Sequence, residues 1–308
     1  MADQKILCIG DIMLDVTVLL NRPIVEGLET RAKISTQGGG AAANVASWLS
    51  HNKTPAYLVT RVGADSAGQT LLAELDAYGV EHSNTVIPNM NTGVVIVIVG
   101  ADGERTMFPE SGANSGLNLS DLPALDNVSA VYLSGYSLLN PASTTGVVAM
   151  VNAITSAKIP IIFDPASVGT MNHVGLASVK NILPRMDIVI LNEEEAFYLT
   201  GRSDIQLALK ELNELVPIVV IKRGSQGAIA IKRDLDSLEV SAKSANVIDT
   251  TGAGDCFIGA CAAALASGAS EDSAVQFGID CATKSVTRKG AQSSYPKIEE
   301  IDFSLIVK

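Results

Sequence analysis

The sequence predicts an α/β fold, with a doubly wound, mostly parallel β-sheet flanked by helices and a small separate β-sheet beside it. Three observations carry this prediction. From about residue 128 onward, short apolar segments alternate with segments of helical periodicity, which is typical of a parallel sheet covered on both faces. Two glycine-rich turns each open a helix of small apolar residues. Residues 16–36 have no helical period, and Asp102-Gly103 marks a hairpin turn farther along.

The first half of the chain contains four predicted strands of the main and small sheets and two predicted helices. Short segments predict strands at 5–10, 57–62, 94–99 and 105–108, because their apolar residues are β-branched or alternate with polar residues. The predicted helices run from the glycine run at 37–40 through Leu49, and from Gly68 to Tyr78. Residues 16–36 and the hairpin at 94–108 are expected to form the small sheet.

The second half of the chain predicts the parallel strands and their crossover helices. The predicted strands are 128–134, 159–164, 188–191 and 218–221, with 228–231 as a hairpin partner of the last. The predicted helices are 143–157, 193–200, 204–215, 253–267 and 271–287. We also interpret 246–249 as strand-like.

These segments divide the chain into two parts. We expect a core formed by residues 1–12, 37–91 and 110–308, and a β-sheet lid formed by residues 13–36 and 92–109. A small sheet outside the main layers is suited to closing over a site or to joining two copies of the chain.

Composition excludes several function classes. A chain of 308 residues with 47% hydrophobic residues supports a large core, and a net charge of −11 argues against nucleic acid as a partner. No apolar run is long enough to span a bilayer, so we expect no membrane partner and a cytoplasmic protein. With three histidines far apart, a histidine-rich metal site is not expected. The cysteines are interpreted as buried thiols, and they are Cys8, Cys256, Cys261 and Cys281.

The stretch from Asn246 to Phe257 is the first candidate site. It turns through Gly252 and Gly254 into an apolar helix, and the bare N–H groups of a helix start favour an anion such as phosphate. A carboxylate there repels phosphate, so Asp255 needs a reason to be present, and proton abstraction from an attacking hydroxyl is one. The alternative is a tight strand-to-helix turn in which Asp255 only favours the helix N-terminus.

The second glycine turn, at residues 38–40, is the next candidate. Glycine allows a ligand to approach the backbone, and Asn44 can both donate and accept hydrogen bonds. The alternative is a helix start packed on the sheet. Gly38-x-Gly40-x-x-Ala43, with Asp65 near the expected spacing, also matches a dinucleotide fingerprint, which keeps an oxidoreductase open.

Polar residues follow several predicted strands, where open α/β sheets bind ligands. Asp11 and Asp15 follow the first strand, and for Asp11 we favour a simple turn cap. Asp164 suits a turn as well as a site. Asn192 and Glu195 form either a helix cap or a pair that faces a wet cleft and positions hydrated Mg²⁺. A further loop follows the predicted strand 218–221. It is interpreted either as a nucleotide-binding turn or as an ordinary hairpin loop, and it consists of Lys222, Arg223, Gly224, Ser225, Gln226 and Gly227.

Taken together, three motifs resemble the ribokinase (PfkB) family of sugar and nucleoside kinases over essentially the whole chain. They are Gly39-Gly40-x-x-x-Asn44, Asn192-x-x-Glu195 and Asp249-Thr-Thr-Gly252-Ala253-Gly254-Asp255. The resemblance implies a doubly wound core with a lid that often dimerises, and ATP and Mg²⁺ as cofactors.

The resemblance also implies residue roles. Asp255 is the expected base, and Gly252, Ala253 and Gly254 supply the anion hole. The positions matched to acceptor binding are Asp15, Gly39, Gly40 and Asn44. Asn192 and Glu195 match the positions that order Mg²⁺ through water, and Lys222 to Gly227 match the ATP site. Asp249, Gly290 and Ser294 match positions that bind an activating K⁺ in some members.

The acceptor positions depart from the family pattern for ribose. An asparagine expected two residues before Asp15 is Met13, an expected lysine is Ala41, and no acid is found near Gly135-Tyr136. We therefore expect an ATP-dependent kinase for a hydroxyl of a sugar, with a nucleoside kinase as the alternative. The expected partners are a small-molecule acceptor and a second copy of the chain. A dinucleotide-dependent oxidoreductase and a catalytically silent sugar-binding regulator are the alternatives from other classes.

Overall fold

The protein was analysed as a computed structural model that describes residues 4–83, 85–102 and 104–305. Gly103, the second residue of the predicted hairpin turn, lies outside the described residues. No helix within these ranges is both long and apolar enough to cross a bilayer.

The first half of the chain contains nine strands and two helices within the described residues. They are β1 (Lys5–Ile9), β2 (Met13–Leu19), β3 (Lys33–Gly39), α1 (Ala41–His51), β4 (Ala56–Val59), β5 (Arg61–Gly63), α2 (Ser66–Tyr78), β6 (Glu81–His82), β7 (Thr85–Ile87), β8 (Val94–Val99) and β9 (Arg105–Glu110).

The second half alternates strands and helices, as its sequence predicts. Its elements are β10 (Val128–Ser134), α3 (Gly135–Leu138), α4 (Thr144–Ser156), β11 (Ile161–Asp164), α5 (Val168–Val174), α6 (Leu176–Ile182), β12 (Ile188–Asn192), α7 (Glu193–Thr200), α8 (Ile205–Leu215), β13 (Ile218–Lys222), β14 (Ala228–Lys232), β15 (Leu238–Val240), α9 (Ala253–Ala266) and α10 (Glu271–Ser285).

The main sheet has nine strands in the order β15-β14-β13-β12-β11-β10-β1-β4-β6. Every pairing from β13 to β6 is parallel, and β14 joins as the antiparallel partner of β13. The chain runs outward from β1 to β4 and β6, and then from β10 to β13 on the other side. The strand order therefore reverses between β1 and β10, which is where open α/β sheets bind ligands.

Both faces of this sheet are covered, as a doubly wound fold requires. Successive side chains of a strand point to opposite faces, so Leu7 and Ile9 pack with α4, α6, α7 and α8, whereas Ile6 and Cys8 pack with α1, α2, α9 and α10. All four cysteines are buried free thiols.

A separate four-stranded sheet, β3-β2-β8-β9, forms the lid. Strands β2 and β8 are parallel, and β3 and β9 are antiparallel to their neighbours. The β2–β3 part of this sheet begins soon after β1 and returns to the core at Gly39, where α1 follows.

Three predictions of local structure were wrong. Residues 57–62 do not form one strand: the run divides at Thr60 into β4, in the main sheet, and β5, which pairs with β7. Residues 246–249 are not a strand; Val247 and Ile248 are exposed, and the N–H of Ile248 donates to the carbonyl of Val286 in a loop contact. Helices α3, α5 and α6 were missed because each is shorter than the window that periodicity requires.

Candidate active site

Polar side chains converge at the carboxyl ends of five adjacent strands. Asp11 follows β1, and Ser134, Asp164, Asn192 and Lys222 end β10, β11, β12 and β13. Ser134 is in register with Asp164, and Asn192 is in register with Lys222. The hydroxyl of Ser134 donates to Asp11 Oδ1 over 3.0 Å and joins the two sides of the strand-order reversal.

Asp11 has a more specific role than a simple turn cap. Its second oxygen accepts the N–H of Ala41, the first residue of α1, over 3.0 Å. Gly40, which directly precedes Ala41, has φ 95°, and a Cβ on Gly40 would lie 2.6 Å from the carbonyl oxygen of Asp11. Only glycine fits this left-handed, crowded position, so the second glycine turn is held against β1.

No side chain caps the start of α9. Side chains cap α2, α7, α8 and α10, through Asp65, Asn192, Asp204 and Ser270. In contrast, α9 begins at Gly252, which has φ 73° and provides no side-chain acceptor. A Cβ on Gly252 would lie 2.8 Å from the Cα of Ala291. The first turn of α9 is therefore suited to an external anion.

The two glycine turns meet through their polar residues. Asn44 Nδ2 donates to Asp255 Oδ2 over 2.7 Å, although the two residues are 211 positions apart in the chain. Gln292 Nε2 in turn donates to Asn44 Oδ1 over 3.0 Å, and the Tyr295 hydroxyl donates to the carbonyl of Asn44 over 2.6 Å. Asn44 is buried and bonded on both ends of its amide, so its orientation toward Asp255 is fixed.

Carboxylates dominate the electrostatics of this cluster. Burial raises the pKa of Asp255 to about 7; the Asn44 hydrogen bond and Lys222 lower it, and Asp164 and Asp11 raise it. Burial also raises the pKa of Glu195 to about 7 and raises the pKa values of Asp11 and Asp164. A carboxyl whose pKa lies near neutrality can accept a proton and release it again, which suits a general base.

Lys222 provides positive charge beside these carboxylates. Its Nζ lies 3.3 Å from the position of a Cβ on Gly254, so the ammonium group lies beside the first turn of α9. The predicted loop from Lys222 to Gly227 is the hairpin loop between β13 and β14, with a 3₁₀ turn at Gly224–Gln226. Arg223 lies 3.9 Å from Glu193 and 3.8 Å from Glu239.

Asn192 and Glu195 form a capping box at the start of α7. Asn192 Oδ1 accepts the Glu195 N–H over 2.9 Å, and the two Glu195 oxygens accept the backbone N–H and the Nδ2 of Asn192 over 2.8 and 2.6 Å. Glu195 is 4% exposed, so little of its carboxylate is open to bulk solvent. Within the described residues, no three His, Cys, Asp or Glu side chains are placed to hold a metal ion together.

The lid carries Asp15 to the edge of the site. Asp15 pairs with Gln37 in the lid sheet, and a Cβ on Gly39 would lie 2.3 Å from its carboxylate. Burial and the nearby Asp11 raise the pKa of Asp15 to about 7. Met13, two residues earlier on the same face of β2, is buried, and Asn114 Nδ2 donates to its Sδ over 3.1 Å.

Two of the residues matched to a potassium site, Asp249 and Gly290, are in contact, and Asp249 also accepts hydrogen bonds from other donors. Its Oδ2 accepts the Gly290 N–H over 3.0 Å, and its Oδ1 accepts from Thr251 and from Arg105 of the lid. Burial opposes ionisation of Asp249, but these hydrogen bonds outweigh it and lower its pKa. Ser294 is buried and donates to the carbonyl of Ala291 over 3.1 Å.

The dinucleotide interpretation was wrong on structural grounds. In a dinucleotide fold, the glycine turn follows a parallel strand of the main sheet, but here it follows β3, at the edge of the lid sheet. Asp65 does not project toward that turn, because its carboxylate accepts the N–H groups of Gly68 and Thr92 and the hydroxyl of Thr92.

Sequence reasoning missed four residues of the site. Gln292, Tyr295, Ser134 and Arg105 reach it from separate parts of the chain. None stands in a glycine turn or at a predicted helix start. The one available signal was Ser134, the last residue of a predicted strand that ends at the sheet edge where ligands bind.

Comparisons with known proteins agree with this architecture. Residues 3–298 match the pfkB family of carbohydrate kinases. A ribokinase of Schizosaccharomyces pombe is 29% identical over 89% of this chain and 88% of its own length. Ribokinase from Giardia lamblia superposes with a TM-score of 0.86 at 26% identity and covers 99% of both chains. The structure of Arabidopsis thaliana ribokinase complexed with ribose and ATP superposes with a TM-score of 0.82 at 28% identity, over 98% of both chains. The chain therefore belongs to the pfkB family of carbohydrate kinases, which confirms the predicted family, fold class and enzyme class.

Proposed function

We propose that this protein transfers the terminal phosphoryl group of ATP to a primary hydroxyl of a sugar, with Asp255 as the general base. One observation carries the proposal: the Asn44–Asp255 hydrogen bond of 2.7 Å, which joins the acceptor-side glycine turn to the phosphate-side glycine turn. A hydroxyl held beside Asn44 lies within reach of the Asp255 carboxylate. With a pKa of about 7, that carboxylate accepts the proton as the hydroxyl attacks.

The first turn of α9 receives the transferring group. The N–H groups that follow Gly252 have no side-chain cap, and those of Ala253 and Gly254 form the proposed anion hole; the Ala253 N–H also makes a 3.2 Å contact with the carbonyl of Thr250. The helix dipole adds partial positive charge. The Lys222 ammonium group beside Gly254 compensates negative charge that builds up on the phosphoryl oxygens. Such fixed donors stabilise the transition state without having to reorganise.

The nucleotide is proposed to lie along the hairpin loop formed by Lys222, Arg223, Gly224, Ser225, Gln226 and Gly227. Support comes from the position of this loop, next to the first turn of α9, and from the ATP complex of the Arabidopsis relative. Arg223 has a buried Nε with no hydrogen-bond partner among the described residues, so a donor is available there.

Mg²⁺ is proposed to bind through water near Asn192 and Glu195. Each Glu195 oxygen accepts one hydrogen bond from Asn192, which leaves lone pairs for ordered water, and oxygen donors suit this ion. The ion would neutralise charge on the ATP phosphates. Glu195 and Asn192 are proposed to hold its water shell, while their capping box fixes the side chains in place.

The acceptor is proposed to lie between the lid and α1, against Asp15, Gly39, Gly40 and Asn44. Asp15 is suited to hydrogen bonds with sugar hydroxyls, and the complex of the Arabidopsis relative with ribose supports a sugar. Met13 is buried and stands where the family pattern for ribose has an asparagine, so the acceptor site is less polar there. A nucleoside is therefore the second candidate. A panel of pentoses, hexoses and nucleosides, measured by ADP release, separates the two.

We also propose that two copies pair through the outer face of the lid. Cross-strand register places Val18 with Ile34, and Val16 with Ile96 and Phe108, on the face opposite to Asp15. Ile34, Ile96 and Phe108 are 63%, 41% and 54% exposed, which leaves an apolar patch on one flat sheet. Contiguous apolar surface of this kind marks an interaction site.

Asp255→Asn tests the proposed function. The amide keeps the shape of the side chain but cannot accept the proton, so kcat falls by about 10²–10⁴-fold while ATP affinity is nearly unchanged. The measurements are coupled ADP release and ATP titration, with the exposed Asp126→Asn as the control. Turnover of Asp255→Asn close to that of the wild type removes Asp255 from the role of base.

A further inference from the structure

The Asp249 carboxylate accepts four hydrogen bonds from the protein itself. The backbone N–H and the hydroxyl of Thr251 donate to its Oδ1 over 3.0 and 2.7 Å, and Arg105 Nη2 donates to the same oxygen over 2.9 Å. The Gly290 N–H donates to Oδ2 over 3.0 Å. A carboxylate offers about four acceptor sites. The carboxylate that family resemblance assigns to K⁺ therefore has three protein donors on Oδ1 and one on Oδ2, and one of these partners is a cation.

The cation comes from the lid. Arg105 is the first residue of β9, and its register with Val99 and Leu19 places it on the same face of the lid sheet as Asp15. Its Nη1 also donates to the Thr251 hydroxyl over 3.0 Å. Two nitrogens of one planar fork thus contact two neighbouring side chains. This geometry is better defined than that of an ordinary surface ion pair, although Arg105 and Asp249 are 34% and 20% exposed.

These contacts lie at the entrance to the anion-binding turn. Thr251 directly precedes Gly252, where α9 begins, and Gly290 precedes Ala291, against which Gly252 packs. A cation bound to the Asp249 carboxylate therefore stabilises the loop that shapes the first turn of α9. Potassium and guanidinium both carry one positive charge, but the guanidinium is covalently part of the chain and stays protonated.

We propose that the guanidinium of Arg105 replaces a bound monovalent cation at Asp249, so that this kinase needs no K⁺ and shapes its anion-binding turn when the lid contacts the core. The activity part of the proposal rests on the proposed kinase function. The binding part does not, because it concerns only which cation Asp249 holds.

The test compares the wild type, Arg105→Gln and Arg105→Lys in chloride salts of potassium and choline at about 0.1 M, where screening is equal in both salts. Lys33→Gln is the matched control, because it removes an exposed lid cation at the other edge of the same sheet. The first readout is the thermal unfolding midpoint, which requires no substrate. The second is ADP release with the best acceptor.

The wild type and Lys33→Gln are expected to unfold at the same temperature in both salts and to turn over within about twofold of each other, since Asp249 already has its cation. Arg105→Gln is expected to unfold about 2 °C or more higher in potassium than in choline, because the ion now binds the vacated carboxylate. Its turnover is expected to fall about tenfold in choline and to recover in potassium. Arg105→Lys retains a charge and is expected to respond little to potassium.

Two results overturn the proposal. One is a wild type that potassium stabilises or activates as strongly as it does Arg105→Gln, which means that a cation binds in addition to Arg105. The other is an Arg105→Gln variant that potassium neither stabilises nor activates. If Arg105→Gln does not fold, the second result is instead an Arg105→Lys variant that responds strongly to potassium. If no acceptor is phosphorylated at all, the proposed function fails, but the unfolding midpoints still decide which cation Asp249 holds.

Discussion

Asn44 Nδ2 lies 2.7 Å from Asp255 Oδ2 and donates to it, so the amide of one glycine turn contacts the carboxylate of the other. This contact orients Asp255 toward α1 and stabilises its ionised form. It is in turn held by Gln292 and Tyr295, which bond to the amide oxygen and the backbone carbonyl of Asn44.

Asn44→Ala is expected to move the pH dependence of kcat/KM. In the wild type, kcat/KM is expected to rise with pH as Asp255 ionises, with a midpoint at about 7. The Asn44 hydrogen bond lowers this pKa, so its loss moves the midpoint to higher pH, and activity falls more below neutrality than above it. Ser50→Ala, on the same helix but bonded to Tyr78, is the control. An unchanged midpoint in Asn44→Ala would show that the Asn44 hydrogen bond does not set the pKa of Asp255.

Lys222→Met is expected to lower kcat/KM for ATP by about 10–10²-fold, because a cation beside the anion-binding turn is lost. It also removes a charge that lowers the pKa of Asp255, so the pH midpoint moves upward as well. Lys232→Met changes a lysine at the far end of the adjoining strand, where it pairs with Glu271, and provides the control. Equal kinetics for the two variants remove Lys222 from phosphate binding.

The contribution of Asp255 to the stability of the unliganded protein is expected to fall as pH rises from about 4 to about 7. The folded-state pKa of Asp255 is raised from 3.8 to about 7, so in this window the folded state binds a proton that the unfolded state has released. Unfolding midpoints of Asp255→Asn and wild type should therefore agree near the lower end and diverge toward the upper end, with the variant more stable. A constant difference across the window contradicts the raised pKa.

Phe108→Glu is expected to convert a dimer to a monomer, because it introduces a charge into the apolar outer face of the lid. Met107 is comparably exposed but lies on the opposite face of β9, so Met107→Glu is the matched control and should remain dimeric. Light scattering after size-exclusion chromatography measures the mass of each variant. A monomeric wild type, or dimers of both variants, excludes the outer face of the lid as the interface.

The sequence by itself determined the fold class and the central motifs. Alternating apolar runs identified the parallel strands, because each strand and crossover helix has its own period. The glycine start of α9 was visible as a helix start without an Asx or Ser cap, although the strand expected before it is a loop. The capping box of Asn192 and Glu195 was equally local, since all of its atoms lie within four residues.

Only the tertiary structure decided which of these motifs share a site. Asn44 and Asp255 are 211 residues apart, and Arg105 and Asp249 are 144 apart, so no local pattern relates them. Their proximity comes from strand order and from the lid, which bring separate loops to one edge of the sheet. Family resemblance implied a K⁺ ligand at Asp249, and only the folded chain shows that the guanidinium of Arg105 lies 2.9 Å from this carboxylate. Periodicity reports the neighbours along a chain, and long-range packing determines the neighbours in space.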